Sequence, residues 1–138
     1  MALALLLACA AFAQEHKGYL VRYQCRILEG GKETWLSPMG YADLRLDKKL
    51  NIKIDAHNLI IQAQFVIMNT PDKGLTLFAL GSVLFLEADS KFSMKNSLRA
   101  IPVTIGDTIS FYPLGIEPEE SQGSHIVLEL AIYEKFPE

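Results

Sequence analysis

The sequence predicts an all-β protein: an antiparallel β-sandwich of about eight or nine strands, with a closed antiparallel barrel as the alternative. Three observations carry that expectation. Apolar residues recur with period two along most of the 138 residues, turn signals of Gly, Pro, Asn and Asp separate the segments at even spacing, and no segment holds the period of a helix. Hairpins joined by one longer connection suit two sheets packed face to face. A chain of this length makes one domain, and such a domain buries roughly two thirds of its unfolded surface, enough for a true core.

The first thirteen residues, MALALLLACAAFA, are uncharged and apolar and end on Ala11, Phe12 and Ala13. That is the pattern of a secretory signal peptide over 1–13, with cleavage expected before Gln14 and a single domain over 14–138. A Lys or Arg normally opens such a signal; its absence leads to the expectation that the true start lies upstream of Met1. Leu6-Leu7-Ala8-Cys9 gives a second reading, a lipoprotein box that would put a lipid on Cys9 and hold the protein at a membrane. Ordinary cleavage is favoured over it because Cys9 lies very early and Leu7 is large for its place. The apolar run is shorter than the roughly 20 residues of a membrane-spanning helix. Both readings place the domain outside the cytoplasm, periplasmic or secreted.

Removal of the signal leaves Cys25 as the only cysteine, so no internal disulfide is expected. Tyr19, Val21, Tyr23, Cys25 and Ile27 alternate with Arg22, Gln24 and Arg26, which puts the thiol on the apolar face of a strand over 18–28, buried and inert. Gly30-Gly31 then supplies a two-residue hairpin with positive φ at both positions, flanked by Glu29 and Lys32, and Thr34, Trp35 and Leu36 form the return strand. Ser37-Pro38-Met39-Gly40 breaks the chain. The segments 41–47 and 50–55 alternate most clearly, with Ala42, Leu44, Leu46, Leu50, Ile52 and Ile54 inward and charges outward, and read as a half-exposed pair.

Between Asp55 and Glu87 the only residues charged at neutral pH are Asp72 and Lys73, in the turn NTPDKG. The flanking segments 59–68 and 75–86 therefore form the central hairpin. With Pro71 to Gly74 as a four-residue loop, Thr70 faces Leu75. The main core face is then Ile61, Ala63, Phe65, Phe78, Leu80 and Leu84. The opposite face carries Gln62, Gln64, Val66, Leu77, Ala79 and Val83, with Ile60, Met68 and Phe85 around them. A five-residue loop would shift the pairing by one and mix the two sets. An antiparallel hairpin with one wet face should alternate apolar and polar, so this second face is expected to be covered, either by the protein itself or by a partner.

Residues 87–98 have no clean period and read as a crossing connection with a short strand or helical turn around Phe92. A strand returns over 99–105, with Pro102 marking an edge strand or its start. A Gly106-Asp107 turn leads to a strand over 108–114, and 115–124 is a polar, acidic loop. The stretch 125–133 closes the domain with Ile126, Leu128, Leu130 and Ile132 inward and Glu129 outward.

A net charge of -3 with scattered Lys and Arg gives no nucleic-acid footprint. Of the three histidines, His16 lies by the cleavage point, and Asp55, His57 and His125 show no metal-ligand spacing. Copper would need a histidine pair, a cysteine and usually a methionine near the last strands, and only His125 lies there. No nucleophile elbow, phosphate-cradling loop or Cys-x-x-Cys occurs, so no enzyme activity, metal or cofactor is expected. Tyr19, Tyr23, Trp35, Tyr41, Tyr112 and Tyr133 are strand residues with no sign of convergence on a sugar or peptide. The expectation is an exported binding or structural subunit of an envelope or surface complex, self-associating or docking a protein through Gln62, Gln64, Val66, Leu77, Ala79 and Val83. The alternative is a barrel that carries a small hydrophobic ligand.

Overall fold

The computed structural model describes residues 18–56, 59–86, 92–114 and 124–135; the expected signal peptide with Cys9, Gln14, His16, His57, the start of the expected connection at 87–91 and the acidic loop at 115–123 lie outside them. Among the described residues nine strands form: β1 (Gly18–Glu29), β2 (Lys32–Leu36), β3 (Gly40–Arg45), β4 (Lys49–Ala56), β5 (Leu59–Thr70), β6 (Gly74–Leu86), β7 (Phe92–Pro102), β8 (Thr108–Phe111) and β9 (Ser124–Lys135). They make two antiparallel sheets. The first has the order β2-β1-β9-β8 with β3 also on β1, the second has β4-β5-β6-β7, and they do not close into a barrel.

β1 holds two neighbours on one edge, β3 from Gly18 to Tyr23 and β2 from Arg26 to Glu29. Ser37 patches the gap between them: its N–H donates to the Cys25 carbonyl, its Oγ accepts from the Cys25 N–H, and its carbonyl accepts from Gln24 Nε2, each at 2.9 Å. The hairpin to β2 turns on Gly30 and Gly31, both at positive φ (58° and 80°), with Glu29 opposite Lys32 as the sequence implies.

The two clearest alternating segments do not pair with each other. β3 joins β1 in the first sheet and β4 joins β5 in the second. The chain crosses between sheets at Asp47, which sits at φ 63° and donates its N–H to the Ile67 carbonyl, while Leu46 makes a single parallel bridge to Ile67. Alternation reveals which side of a strand is dry, not which strand lies beside it, and Asp tolerates the left-handed conformation that the crossing needs.

A second correction concerns residues 87–107. β7 is one long strand that pairs with β6 from Phe92 to Pro102, so Phe92 lies in a strand that runs through 98 rather than in a connection. The crossing between sheets falls at 103–107: Val103 N–H still donates to Leu75 O in the second sheet, and Gly106 N–H to Ile132 O in the first. β7 lacks a clean period because it is an edge strand whose inward positions, Ser97 and Arg99, are not sealed in the core. Pro102 ends it, where an edge tolerates a missing donor.

The third correction is the central register. Thr70 pairs with Gly74, at φ 72°, and Asn69 with Leu75, so the loop is Pro71 to Lys73, neither the expected four residues nor the alternative five, and the pairing is shifted by one. Thr70 Oγ1 donates to the Gly74 carbonyl at 3.0 Å and fixes this closure. Ile61 now faces Val83, Ala63 faces Gly81, Phe65 faces Ala79 and Ile67 faces Leu77, and these side chains point into the sandwich. Phe78, Leu80 and Leu84, expected inside, lie on the outer face. Phe65 stands opposite the small Ala79, and the Phe111 ring packs over Gly81, edge-on to Phe65 at 5.9 Å between centroids.

Cys25, Tyr19, Val21 and Ile27 of β1, Leu44 of β3 and the inward row Ile126, Leu128, Leu130 and Ile132 of β9 complete one continuous core. Phe65→Ala should destabilise the domain by about 3–5 kcal/mol, because the cavity cannot collapse between two sheets. At Gly81 an added Cβ would lie 2.9 Å from the Phe111 ring and 2.9 Å from the Pro113 Cα, which is backbone. Gly81→Ala should therefore cost about 1–3 kcal/mol despite adding one methyl. Urea denaturation checks both; losses below about 0.5 kcal/mol, those of a surface change, would contradict this packing.

Candidate interaction face

The outward side chains of the second sheet form the face that the hairpin pattern leads one to look for, with a changed membership. Gln62, Gln64 and Val66 project outward from β5, as expected. Leu77, Ala79 and Val83 do not join them: each is at most 1% exposed, inside the core. Their places are taken by Phe78, Leu80, Ser82 and Leu84, the residues directly opposite the outward positions of β5.

Cross-strand pairing arranges this face in rows. Lys53, Gln62, Ser82 and Asn96 stand side by side across all four strands, and Ser82 Oγ donates to Asn96 Oδ1 at 2.8 Å. The next row is Asn51, Gln64, Leu80 and Leu98. Apolar pairs flank the two rows: Ile60 with Leu84 on one side, Val66 with Phe78 on the other. Leu80 is 40% exposed and Leu98 70%, although both are large and apolar. Over β4 and β5 the surface dips into an open depression of about 340 Å³, lined by Asn51, Lys53, Gln62, Gln64, Leu80 and Ser82. Among the described outward residues of this face, Asp55 is the one carboxylate and Lys49 and Lys53 the cations.

The outer face of the first sheet has a different character. Arg26 lies between Glu129, which its Nε contacts, and Glu33 at 2.8 Å; these carboxylates, Glu129 foremost, raise its pKa further. Lys135 pairs with Asp43 at 3.0 Å, and Arg22 stacks over the Tyr133 ring at 5.8 Å. Those charges are matched within the molecule. The one recess described there, lined by Arg22, Gln24, Met39, Thr108 and Glu129, holds about 60 Å³, room for a water or two.

Among the described residues no three His, Cys, Asp or Glu side chains gather as metal ligands. Asp55 points outward from β4 of the second sheet, whereas His125 lies opposite Leu28 on the outer side of the first, so the two are on opposite sides of the sandwich. The aromatic residues do not gather at one place: Tyr19 is in the core and Tyr23 and Trp35 pack against it, while Tyr41, 63% exposed on β3, and Tyr133 on β9 lie on the outer face of the first sheet. Sequence reasoning missed Leu80 and Ser82 through the register and Leu98 and Asn96 through the lost strand. Asn51 and Lys53 had a signal, the wet half of the β4 alternation. Comparison of the chain with protein-family models, curated proteins and solved structures found no significant match.

Cys25 is fully buried, and burial pushes its thiol up to about 12. The fold favours the neutral thiol, so its contribution to stability is intact below the unfolded value near 8.5 and is lost as pH rises from there toward about 12. In the native protein at pH 8 a thiol reagent such as dithionitrobenzoate should leave Cys25 unmodified for hours, with prompt reaction in urea. Rapid native labelling would contradict the burial.

Proposed function

We propose that this chain is an exported, non-catalytic β-sandwich that works by binding, as an assembly subunit of an envelope or cell-surface complex. It docks through the outer face of the β4–β7 sheet. The observation that carries this reading is the composition of that face: side-chain amides and a lysine ammonium run in a row through exposed leucines and half-buried apolar pairs, while on the opposite sheet Arg26 pairs with Glu33 and Glu129 and Lys135 with Asp43. The core of a protein interface is depleted in charged residues, as this face is, and amides placed there bond across it or to trapped water. Export is supported by the uncharged apolar start of the chain and its Ala-Phe-Ala ending, with lipidation at Cys9 as the route to a membrane. The carrier alternative needs an enclosed barrel chamber, and the two sheets surround a filled core instead.

Native mass spectrometry of the protein extracted from its producing cell, compared with its denatured mass, tests the assembly reading. The native species should exceed one chain by further protein. Leu98→Arg and Gln64→Glu, both on the face, should remove that excess while the thermal unfolding temperature changes little. A lone chain, or a chain with only a small molecule bound, would overturn the proposal. The same denatured mass checks export: the mature chain should begin at Gln14, and one that begins at Met1 or carries lipid on Cys9 would displace ordinary cleavage.

A further inference from the structure

The face has the two halves of a self-complementary surface. Its depression runs from β4 across β5 to Leu80 and Ser82 of β6, and its most exposed apolar side chain, Leu98, stands on β7 at the other margin, in the same row as Asn51 and Gln64. A twofold axis parallel to the strands and midway between β5 and β6 keeps every row at its own height and exchanges β4 with β7 and β5 with β6. It sets Leu98 of one copy over Asn51 of the other and Leu80 over Gln64, so the protrusion enters the depression twice.

Beside that row, in which Asn51 and Gln64 meet leucines, the same operation matches chemistry on the rows to either side. The polar row meets itself reversed, Gln62 against Ser82 and Lys53 against Asn96, and the apolar pairs meet likewise, Ile60 against Leu84 and Val66 against Phe78. Lys49 and Lys53 then face Ala100 and Asn96 of the second copy, which are neutral. An in-plane axis perpendicular to the strands would instead lay β4 on β4 and crowd those lysines together. Four strands about 4.8 Å apart and about eight residues long at about 3.4 Å each project roughly 500 Å², below the ~800 Å² per partner of a standard interface and in the range of weak, reversible association.

We infer that the partner on this face is a second copy of the chain, bound sheet to sheet about a twofold axis parallel to the strands between β5 and β6. This rests on the docking face proposed above and adds its occupant and geometry. Facing sheets lie about 10 Å apart, so the opposed residues touch through side chains rather than backbone.

Sedimentation of the chain as isolated from its producing cell should show a reversible monomer–dimer equilibrium. Gln62→Lys and Ser82→Glu, each at an accessible outward position, should each weaken the dimer at least ~10-fold by placing a charge beside its own symmetry mate. Mixed in equal amounts, the two variants should regain association as a mixed dimer, because each lysine then faces a glutamate. In case a charge variant fails to fold, Lys53→Cys and Asn96→Cys provide a second measurement. A short bismaleimide should join a Lys53→Cys copy to an Asn96→Cys copy and should join neither variant to itself, with Cys25 buried and silent. A chain that stays monomeric to millimolar concentration overturns the inference; if the native extract then carries a different protein on this face, the docking reading survives. A dimer whose mixed variants neither reassociate nor cross-link overturns the axis.

Discussion

The sandwich depends on how closely β6 approaches the chain that leaves β8. With no side chain at Gly81, the Phe111 ring and the Pro113 backbone lie where a Cβ would be, at 2.9 Å. Ser97 Oγ on the neighbouring strand donates to the Pro113 carbonyl at 2.7 Å and to the Tyr112 carbonyl at 3.3 Å, so the segment after β8 is held against two strands of the opposite sheet. The contact requires Gly81 to face inward. Because side chains alternate, Leu77, Ala79 and Val83 must then face inward as well, and the outward set of β6 follows without further choice.

Which residues are dry was legible in the sequence wherever a strand has one wet side. β1 and β4 carry polar residues at alternate positions, and their inward sets fall where the pattern puts them, Val21 and Cys25 on β1 and Ile52 on β4; β9 keeps Leu128 and Leu130 inward as well, although its outward His125, Val127 and Ala131 are buried too. β6 has no such mark, since Leu77, Ala79 and Val83 are about as apolar as Phe78, Leu80 and Leu84. Its orientation hangs on turn geometry at Thr70 and Gly74, where one residue reverses the answer. The candidate site inherits that ambiguity: the β5 half was placed correctly by Gln62 and Gln64, and the β6 half was exchanged. A volume argument distinguishes the two registers better than hydropathy does. Two small residues, Ala79 and Gly81, make a poor outer surface but a good seat for two phenylalanine rings.

Strand partners were less legible than strand faces. Neither the departure of β3 and β4 to different sheets nor the continuity of β7 is written in local alternation, because both depend on contacts distant in sequence. The Leu46–Ile67 bridge and the Ser97 hydrogen bonds to 112–113 are of this kind. β7 in particular carries Arg99 on its inward side and Pro102 at its end, features that weaken any strand pattern and also protect an exposed edge against pairing with another chain.

That protection bears on how the second sheet can associate. Its edges carry lysines on β4 and Arg99 with Pro102 on β7, which discourage strand-to-strand extension, while its outer face leaves Leu80 and Leu98 in contact with water. Under the docking proposed above, association is thereby directed onto the face. The row of Lys53, Gln62, Ser82 and Asn96 adds little net affinity there, since hydrogen bonds across an interface replace hydrogen bonds to water. It sets position instead. In the proposed dimer the row of Asn51 and Gln64 lies against leucines in any case, so the row of Lys53, Gln62, Ser82 and Asn96 alone distinguishes alignments: displaced onto Ile60 and Leu84 it would lose its polar partners, at about 1–3 kcal/mol for each group left without a bond.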